Sequence, residues 1–430
     1  MVERKEIRQL SSRELRAYIN GVNKLKENGV IDQLARKHYT NVNNGIHGTA
    51  QFLPWHRNFI KVFENELRKI DSSLAAHYWD WTLDAQSPET SILLTEDYFG
   101  GNGDPNDGHC LRESIFSTWE LEVPKRHCLQ RDYRRGDRLP KYWGPEAVAE
   151  LINDSRTYEE ISLGCESNMH GIVHLGFNGK NSRSRTGDMG TMYSPNDPLF
   201  YLHHSMIDKI WYDWQLIEEK RFRMYGPSSE RKRDTPDMSS RDMLIDIDHM
   251  TVADVLDPRK DGMCYTYQDS GSYTAVEVAR RAASAYRERE RKRGYDVGTP
   301  GYSNTTTRPD RSHFNYAIKA ISEVLCLKDV NLDLLDDSEL KIALPDPVDD
   351  QWIEMNCLEK SVIEHYQKAI EKMACDLNED PFYISPAVVF HASRLQDIKL
   401  KNQTKKPKET CEDDIEMQQT GYAIKQERRL

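Results

Sequence analysis

Six histidines fall into two groups of three, and no other residue type in the chain is arranged so clearly for chemistry. The first group ends in His47-x8-His56, within Phe52-Leu53-Pro54-Trp55-His56-Arg57. The second opens with His170-x3-His174 and continues downstream into Asp197-Pro198-Leu199-Phe200-Tyr201-Leu202-His203-His204. Neutral imidazole binds copper, zinc, iron or nickel. Six imidazoles with no cysteine or carboxylate pattern around them favour a redox-active pair of coppers over a structural zinc. A zinc hydrolase is disfavoured further, because there is no His-Glu-x-x-His motif and no evident general base among the ligands.

His170 and His174 stand four apart, so a helix projects both to one side, one turn apart, where they can share one ion. Adjacent helix residues point about a third of a turn apart, so only one of His203 and His204 faces that ion. His204 is the expected third ligand, because Phe200 and Asp208 lie four residues to either side and can buttress its ring. His203 then has a supporting role. Arg57, a charge on an otherwise apolar helix face beside His56, is expected to pair with Asp208 across the bundle. His77, His109, His127, His249, His313, His365 and His391 read as ordinary, with His77 a satisfied buried histidine in the run His-Tyr-Trp-Asp-Trp.

The elements that must position these residues are helical. Leu15, Tyr18, Ile19, Val22 and Leu25 recur at helical spacing over residues 12–26 behind a serine cap. A shorter helix from Val30 to His38 puts His38 at its C-terminal end, and the loop from Asn41 to Gly48 carries His47. After Pro54, an apolar face of Trp55, Phe59, Val62, Phe63, Leu67 and Ile70 places His56 in the first turn. Glycines, prolines and charges between Ser87 and Pro145 read as a loop-rich insertion. Further helices are expected over Tyr158–Leu175 and over Asp197–Glu219, the latter with Asp197 as cap and Pro198 at its first position. A polar stretch from Glu218 to Pro236 sets a domain edge near 225. Beyond it lie an extension over 226–397, with helices at Ser272–Gly294 and Asp350–Asp376, and a polar tail over 398–430 expected to be disordered.

With 430 residues and a net charge of −11, the chain can bury a large core and is not drawn to nucleic acid or anionic membranes. No apolar run approaches the length of a membrane span. Cys110 and Cys128 bracket a loop where a disulfide is useful, and Cys264, Cys326, Cys357 and Cys375 are candidates to stitch the extension together. Sequons at Asn153, Asn304 and Asn402 tilt toward secretion, with the chain read as a mature form lacking its signal peptide.

Over residues 4–220, and most closely at His47–Phe59, His170–His174 and Ser194–Trp214, the chain resembles the type 3 copper proteins: tyrosinases, catechol oxidases and molluscan haemocyanins. Tyr78-Trp-Asp-Trp is similar to invertebrate, molluscan-type tyrosinases. The resemblance implies a mainly α fold, a four-helix bundle holding a dicopper centre, with long loops and a C-terminal extension. It implies one copper on His38, His47 and His56 and a second on His170, His174 and His204. The implied activity uses O2 to hydroxylate monophenols and oxidise o-diphenols to o-quinones, for melanin formation or protein cross-linking. The phenol ring would stack on an imidazole of the second site. No thioether is expected, because Asn43-Asn44-Gly45-Ile46, without cysteine, precedes His47. Glu166 matches a carboxylate that holds water and helps deprotonate the phenol. Gly171 stands where relatives active on monophenols often have asparagine, which argues toward a catechol oxidase. Met192 matches the residue that overhangs the site. In relatives a C-terminal extension can cover the site. Carriers of this family are usually long chains of repeated domains, which this chain is not.

Overall fold

The computed structural model describes residues 1–180, 186–226, 244, 247, 249–260, 262–293, 314–328 and 330–404. The sequon at Asn304 and most of the expected linker after Tyr225 lie outside these residues. The chain opens with strand β1 (Val2–Arg4) and helix α1 (Ser12–Glu27), which turns Tyr18, Ile19, Val22 and Leu25 inward. Its cap is Ser11. The Ser11 hydroxyl accepts from the Glu14 amide, and the Glu14 carboxylate accepts from the Ser11 amide, so two end donors are satisfied reciprocally.

Helix α2 (Val30–Asn41) runs three residues beyond His38. Helix α3 (Phe52–Ile70) begins before Pro54, whose missing N–H costs nothing within the first turn, so His56 stands at the start of the second turn instead of in the first. The insertion that follows carries short 3-10 turns and the short antiparallel strands β2 (Glu120–Leu121) and β3 (His127–Cys128) and is stapled by a Cys110–Cys128 disulfide. It ends at α4 (Pro145–Asp154).

The expected second ligand helix exists but is not a uniform α-helix. It is built from α5 (Tyr158–Gly164), a π-helical stretch over Cys165–His170, and α6 (Gly171–Gly176). Such wide turns inside helices recur at functional sites, and this one sets the direction of Glu166 and His170. Helix α7 (Leu199–Ile217) begins one residue later than expected, at Leu199, and is still capped by the Asp197 carboxylate. It accepts from Arg131 Nε at 2.7 Å and Nη2 at 2.9 Å while receiving the Leu199 amide at 2.9 Å, which pins the long insertion to the start of α7.

After α8 (Val252–Val255), strand β4 (Tyr265–Tyr267) pairs in parallel with β1, with Val2 opposite Tyr265 and Arg4 opposite Tyr267. The apolar core that starts in α1 therefore runs beyond residue 225 to Leu244, Val252, Val255 and Tyr265. Helices α9 (Ser272–Lys292), α10 (Asn315–Val324) and α13 (Pro386–Thr404) share a second core through Ala275, Ala279, Ala317, Ile321, Val388 and Val389. The single helix expected over 350–376 is two, α11 (Asp350–Met355) and α12 (Lys360–Glu379). Between them Cys357 adopts a left-handed φ of 53° that ends the first helix. Residues 398–404, expected in the tail, continue α13, and 405–430 lie outside the described residues. Cys326, Cys357 and Cys375 are free thiols, so they do not stitch the extension together.

One buried ionic knot ties the N-terminus, α3, α7 and β4 together. Asp208 accepts from Arg57 Nε at 2.5 Å, Arg4 Nη1 at 3.2 Å, Tyr265 Oη at 2.5 Å and Tyr267 Oη at 2.7 Å. Arg57 also reaches Gln215 and the carbonyls of Val255 and Leu256, and its guanidinium lies 3.6 Å from the Trp211 ring centre. Arg4 donates to Glu64 at 2.8 Å. The expected Arg57–Asp208 pair thus forms, although Asp208 spends its acceptors here and does not buttress His204. Removing one member strands a buried charge, so Arg57→Met is expected to destabilise the metal-free protein by about 3–5 kcal/mol. A double-mutant cycle with Asp208→Asn in urea unfolding checks it: the two changes should be clearly less than additive, and additive losses would contradict the coupling.

Candidate dinuclear metal site

The histidines meet at the centre of the bundle formed by α2, α3, α5–α6 and α7. His38, His47 and His56 each offer a ring nitrogen, all within 4.8 Å of one another, and His170, His174, His203 and His204 do the same. All seven are buried. Burial is the main force that pulls their pKa values down, His38 to about 4 and His174 to about 3, because an imidazolium in this apolar centre would lose its hydration. Like neighbours depress His47, His56, His170 and His204 further. The site therefore presents neutral rings with free lone pairs.

Backbone carbonyls decide which nitrogen faces inward. His38 Nδ1 donates to the Met192 carbonyl at 2.7 Å, His56 Nδ1 to the Phe52 carbonyl at 2.8 Å, and His174 Nδ1 to the Met189 carbonyl at 2.6 Å. Each bond fixes the tautomer and leaves Nε2 as the lone-pair atom. His56 Nε2 lies 3.4 Å from His38 Nε2, and His174 Nε2 lies 3.2 Å from His204 Nε2. Two nitrogens bound tetrahedrally to one ion at about 2.0 Å are about 3.3 Å apart, so both separations suit a shared metal. His170 has neither ring nitrogen hydrogen-bonded, and Nδ1 of His47 and of His204 is likewise without a partner. Orphaned buried nitrogens of this kind are costly unless a cation uses the set.

The two clusters touch. The His56 and His204 rings stack at 4.5 Å with 13° between planes, and His47 lies 5.9 Å from His170 at 26°. Phe200 packs against both His204 (4.1 Å) and His38 (5.5 Å), the aromatic support expected of it. His203, placed outside the ligand set by its position in sequence, still brings its ring parallel to His170 at 5.5 Å and edge-on to His174 at 4.9 Å. Helix spacing could not show this, because the π-helical turn that moves His170 is not visible in residue types.

Glu166 is buried beside the first cluster. Its Oε1 accepts the Gly48 amide at 2.7 Å, Oε2 has no partner, and burial lifts its carboxyl well above the usual range. Gly171 follows His170 directly at the start of α6. Met192 is buried and contributes its backbone carbonyl to His38. The turn that carries Met192 does more than place that side chain. Asp188 accepts from the Gln130 amide (2.8 Å), from Asn196 (3.0 Å) and from His127 (2.9 Å), and so fixes the turn whose Met189 and Met192 carbonyls orient a histidine in each cluster. His77 is the satisfied buried histidine expected, its Nδ1 accepting the Lys5 amide at 3.1 Å.

A helical bundle with two facing sets of buried imidazoles defines a dinuclear metal protein, and comparison with known proteins supplies the metal and the lineage. Residues 28–217 match the family model described as the common central domain of tyrosinase. Tyrosinase ustQ of Aspergillus flavus is 30% identical over 292 residues, covering 61% of this chain and 78% of that protein. The tyrosinase of Streptomyces antibioticus is 32% identical over 234 residues, covering 50% of this chain and 83% of that one. Among solved structures, a polyphenol oxidase variant from Thermothelomyces thermophila shares the fold with a TM-score of 0.51 at 20% identity, over 63% of this chain and 89% of that one. The chain belongs to the tyrosinase family of type 3 copper proteins, and its two histidine clusters fit a dinuclear copper centre. No helix among the described residues is long and apolar enough to cross a membrane.

If His204 completes the second cluster and His203 only supports it, His204→Ala should hold about one copper per chain where the parent holds two, and His203→Ala should retain both. Metal analysis after dialysis reads this directly. The reverse pattern would reassign the ligand.

Proposed function

We propose that this chain is a copper oxidoreductase that uses O2 to hydroxylate monophenols to o-diphenols and to oxidise o-diphenols to o-quinones. The observation that carries the reading is the direct stack of His56 on His204, which brings the two three-imidazole sets close enough to act on one small diatomic molecule. Two coppers bound there would supply the site for O2 and the two-electron redox change. A monophenol and one O2 give one o-quinone and one water. Two o-diphenols and one O2 give two o-quinones and two waters.

The chain's own groups do the rest. His38, His47 and His56 hold one metal and His170, His174 and His204 the other, while carbonyls of Phe52, Met189 and Met192 aim three of those rings. Glu166, with one oxygen anchored on the Gly48 amide and the other free, is the group placed to take the phenol proton, directly or through a water. Its raised pKa has a clear sign: below that value the carboxyl stays protonated and cannot act as base, so turnover of a monophenol rises with pH. A diphenol ionises more readily and depends on this base less.

One observation favours a second reading. Trp352 lies over His174 and His170 of the second cluster, as expected of a protein that admits O2 but not phenols, an oxygen carrier. Steady-state assays of copper-loaded protein with L-tyrosine and L-DOPA, reading quinone formation together with oxygen uptake, separate the two. Turnover of both substrates, abolished in His56→Ala, is expected. Glu166→Gln should lower kcat/KM for L-tyrosine by about 10²-fold and flatten its rise with pH, with a smaller loss on L-DOPA. Reversible oxygen uptake with no quinone would make the carrier reading the right one.

A further inference from the structure

The turn that opens at Asp188 serves both halves of the copper pair, and a buried charge holds it. Met189 and Met192 send their carbonyls to different clusters, to His174 Nδ1 at 2.6 Å and to His38 Nδ1 at 2.7 Å. Asp188 is buried at the start of this turn. Its Oδ1 accepts from His127 Nε2 at 2.9 Å and from Asn196 Nδ2 at 3.0 Å, and its Oδ2 from the Gln130 amide at 2.8 Å. Its carbonyl accepts from the Thr191 amide at 3.1 Å and the Thr191 hydroxyl at 2.8 Å, which closes the turn.

Among the described residues, His127 is the charge paired with this carboxylate. Both of its ring nitrogens face acceptors: Nδ1 lies 2.7 Å from the Lys125 carbonyl and Nε2 2.9 Å from Asp188. A neutral imidazole has one N–H and satisfies one of these, whereas the imidazolium satisfies both. Asp188 already takes donors on both oxygens, so the proton between the two sits on the ring. Burial works against a charge on His127, but the Asp188 carboxylate outweighs it and the ring's pKa ends above the ordinary histidine value. Of the other ionisable groups nearby, Lys125 opposes the proton, Glu120 and Glu122 face Arg126, and the Tyr193 ring stands edge-on at 6.1 Å. The side chain keeps 14% of its surface exposed, enough to exchange its proton with water. Its backbone is fixed, because β3 pairs with β2 and the next residue, Cys128, is bonded to Cys110. With the strand held, loss of the proton acts on Asp188 and its turn.

We propose that His127 and Asp188 are a positioning pair for the dicopper centre, and that the proton they share sets how firmly both coppers are kept. With the proton in place, the Met189 and Met192 carbonyls hold His174 and His38 with Nε2 free for metal. As pH rises through the raised pKa of His127, the buried carboxylate loses its paired charge and the turn loosens. One ring in each cluster then loses the group that fixes its tautomer. The effect is fully present below the ordinary histidine value and is lost on the alkaline side. It concerns metal retention and stands whether or not the centre oxidises phenols.

The test compares the parent with Asp188→Asn and with His127→Gln, whose amide can donate to Asp188 but carries no charge and does not titrate. Release of copper from the loaded full chain to excess chelator is timed from about pH 6 to about pH 9, and the ratio of variant to parent rates removes the chelator's own titration. Both variants are expected to release copper about tenfold faster at the acid end, with the ratio falling toward one at the alkaline end, where the parent has lost its proton too. In the metal-free protein, nitrogen-15 spectra of labelled histidines should show Nδ1 protonated in both His38 and His174, and both changing in step with the titration of His127. A ratio constant with pH, which a merely structural role would give, overturns the proposal. So does a His127 ring already neutral at about pH 7, or a change confined to one of His38 and His174. Should Asp188→Asn fail to fold, His127→Gln, at the more exposed end of the contact, decides alone. Copper release behaving as expected in protein that turns over no phenol would uphold the pair and count against the phenol-oxidising reading only.

Discussion

Seven buried imidazoles kept neutral in one apolar centre are the constraint on which the rest of this structure depends. None can be charged there without losing hydration, and ring nitrogens of His47, His170 and His204 find no hydrogen-bond partner. The arrangement calls for rings held in one tautomer from outside and for cations that use the lone pairs inside. Carbonyls of Phe52, Met189 and Met192 do the first for His56, His174 and His38, and the spacing of the Nε2 atoms is suited to the second. Much of the remaining architecture fixes those carbonyls. The insertion stapled by Cys110–Cys128 delivers His127 and Gln130 to Asp188, and Asp188 fixes the turn that supplies two of the three.

The helices are fixed just as firmly from the far side. Asp208, one turn along α7 from His204, gathers Arg4, Arg57, Tyr265 and Tyr267, so the N-terminal strand and the region after the expected domain edge belong to the same packed unit as the metal helices. This is why β1 pairs with β4 across more than 260 residues of sequence. A buried acid with four donors costs little as a set and much if one donor is lost, which makes the knot a means of fixing register between α3 and α7.

The helices, the loop carrying His47 and the pair Arg57–Asp208 were legible in the sequence, because apolar periodicity and charges beside ligands are local signals. Three features were not. The π-helical turn over Cys165–His170 has no residue signature, so the approach of His203 to His170 was hidden. The tautomer-fixing carbonyls are backbone groups and carry no letter. The break at Cys357 and the seating of Trp352 depend on contacts with Gly48 and Gly171 some 180 to 310 residues away, and helical spacing over 350–376 gave no sign of either. Gly171 in particular was read through resemblance as a choice of chemistry, whereas here the space beside it is filled by an indole.

The central claim is that the two clusters act as one copper pair, and electron paramagnetic resonance of protein loaded with Cu(II) and freed of excess metal tests it most directly. Two d⁹ ions in facing sites joined by a small bridging ligand couple their spins and cancel. Two coppers per chain by metal analysis with a resonance signal accounting for almost none of them is the result this account requires. A signal equal to the full copper content would show two independent ions and contradict it.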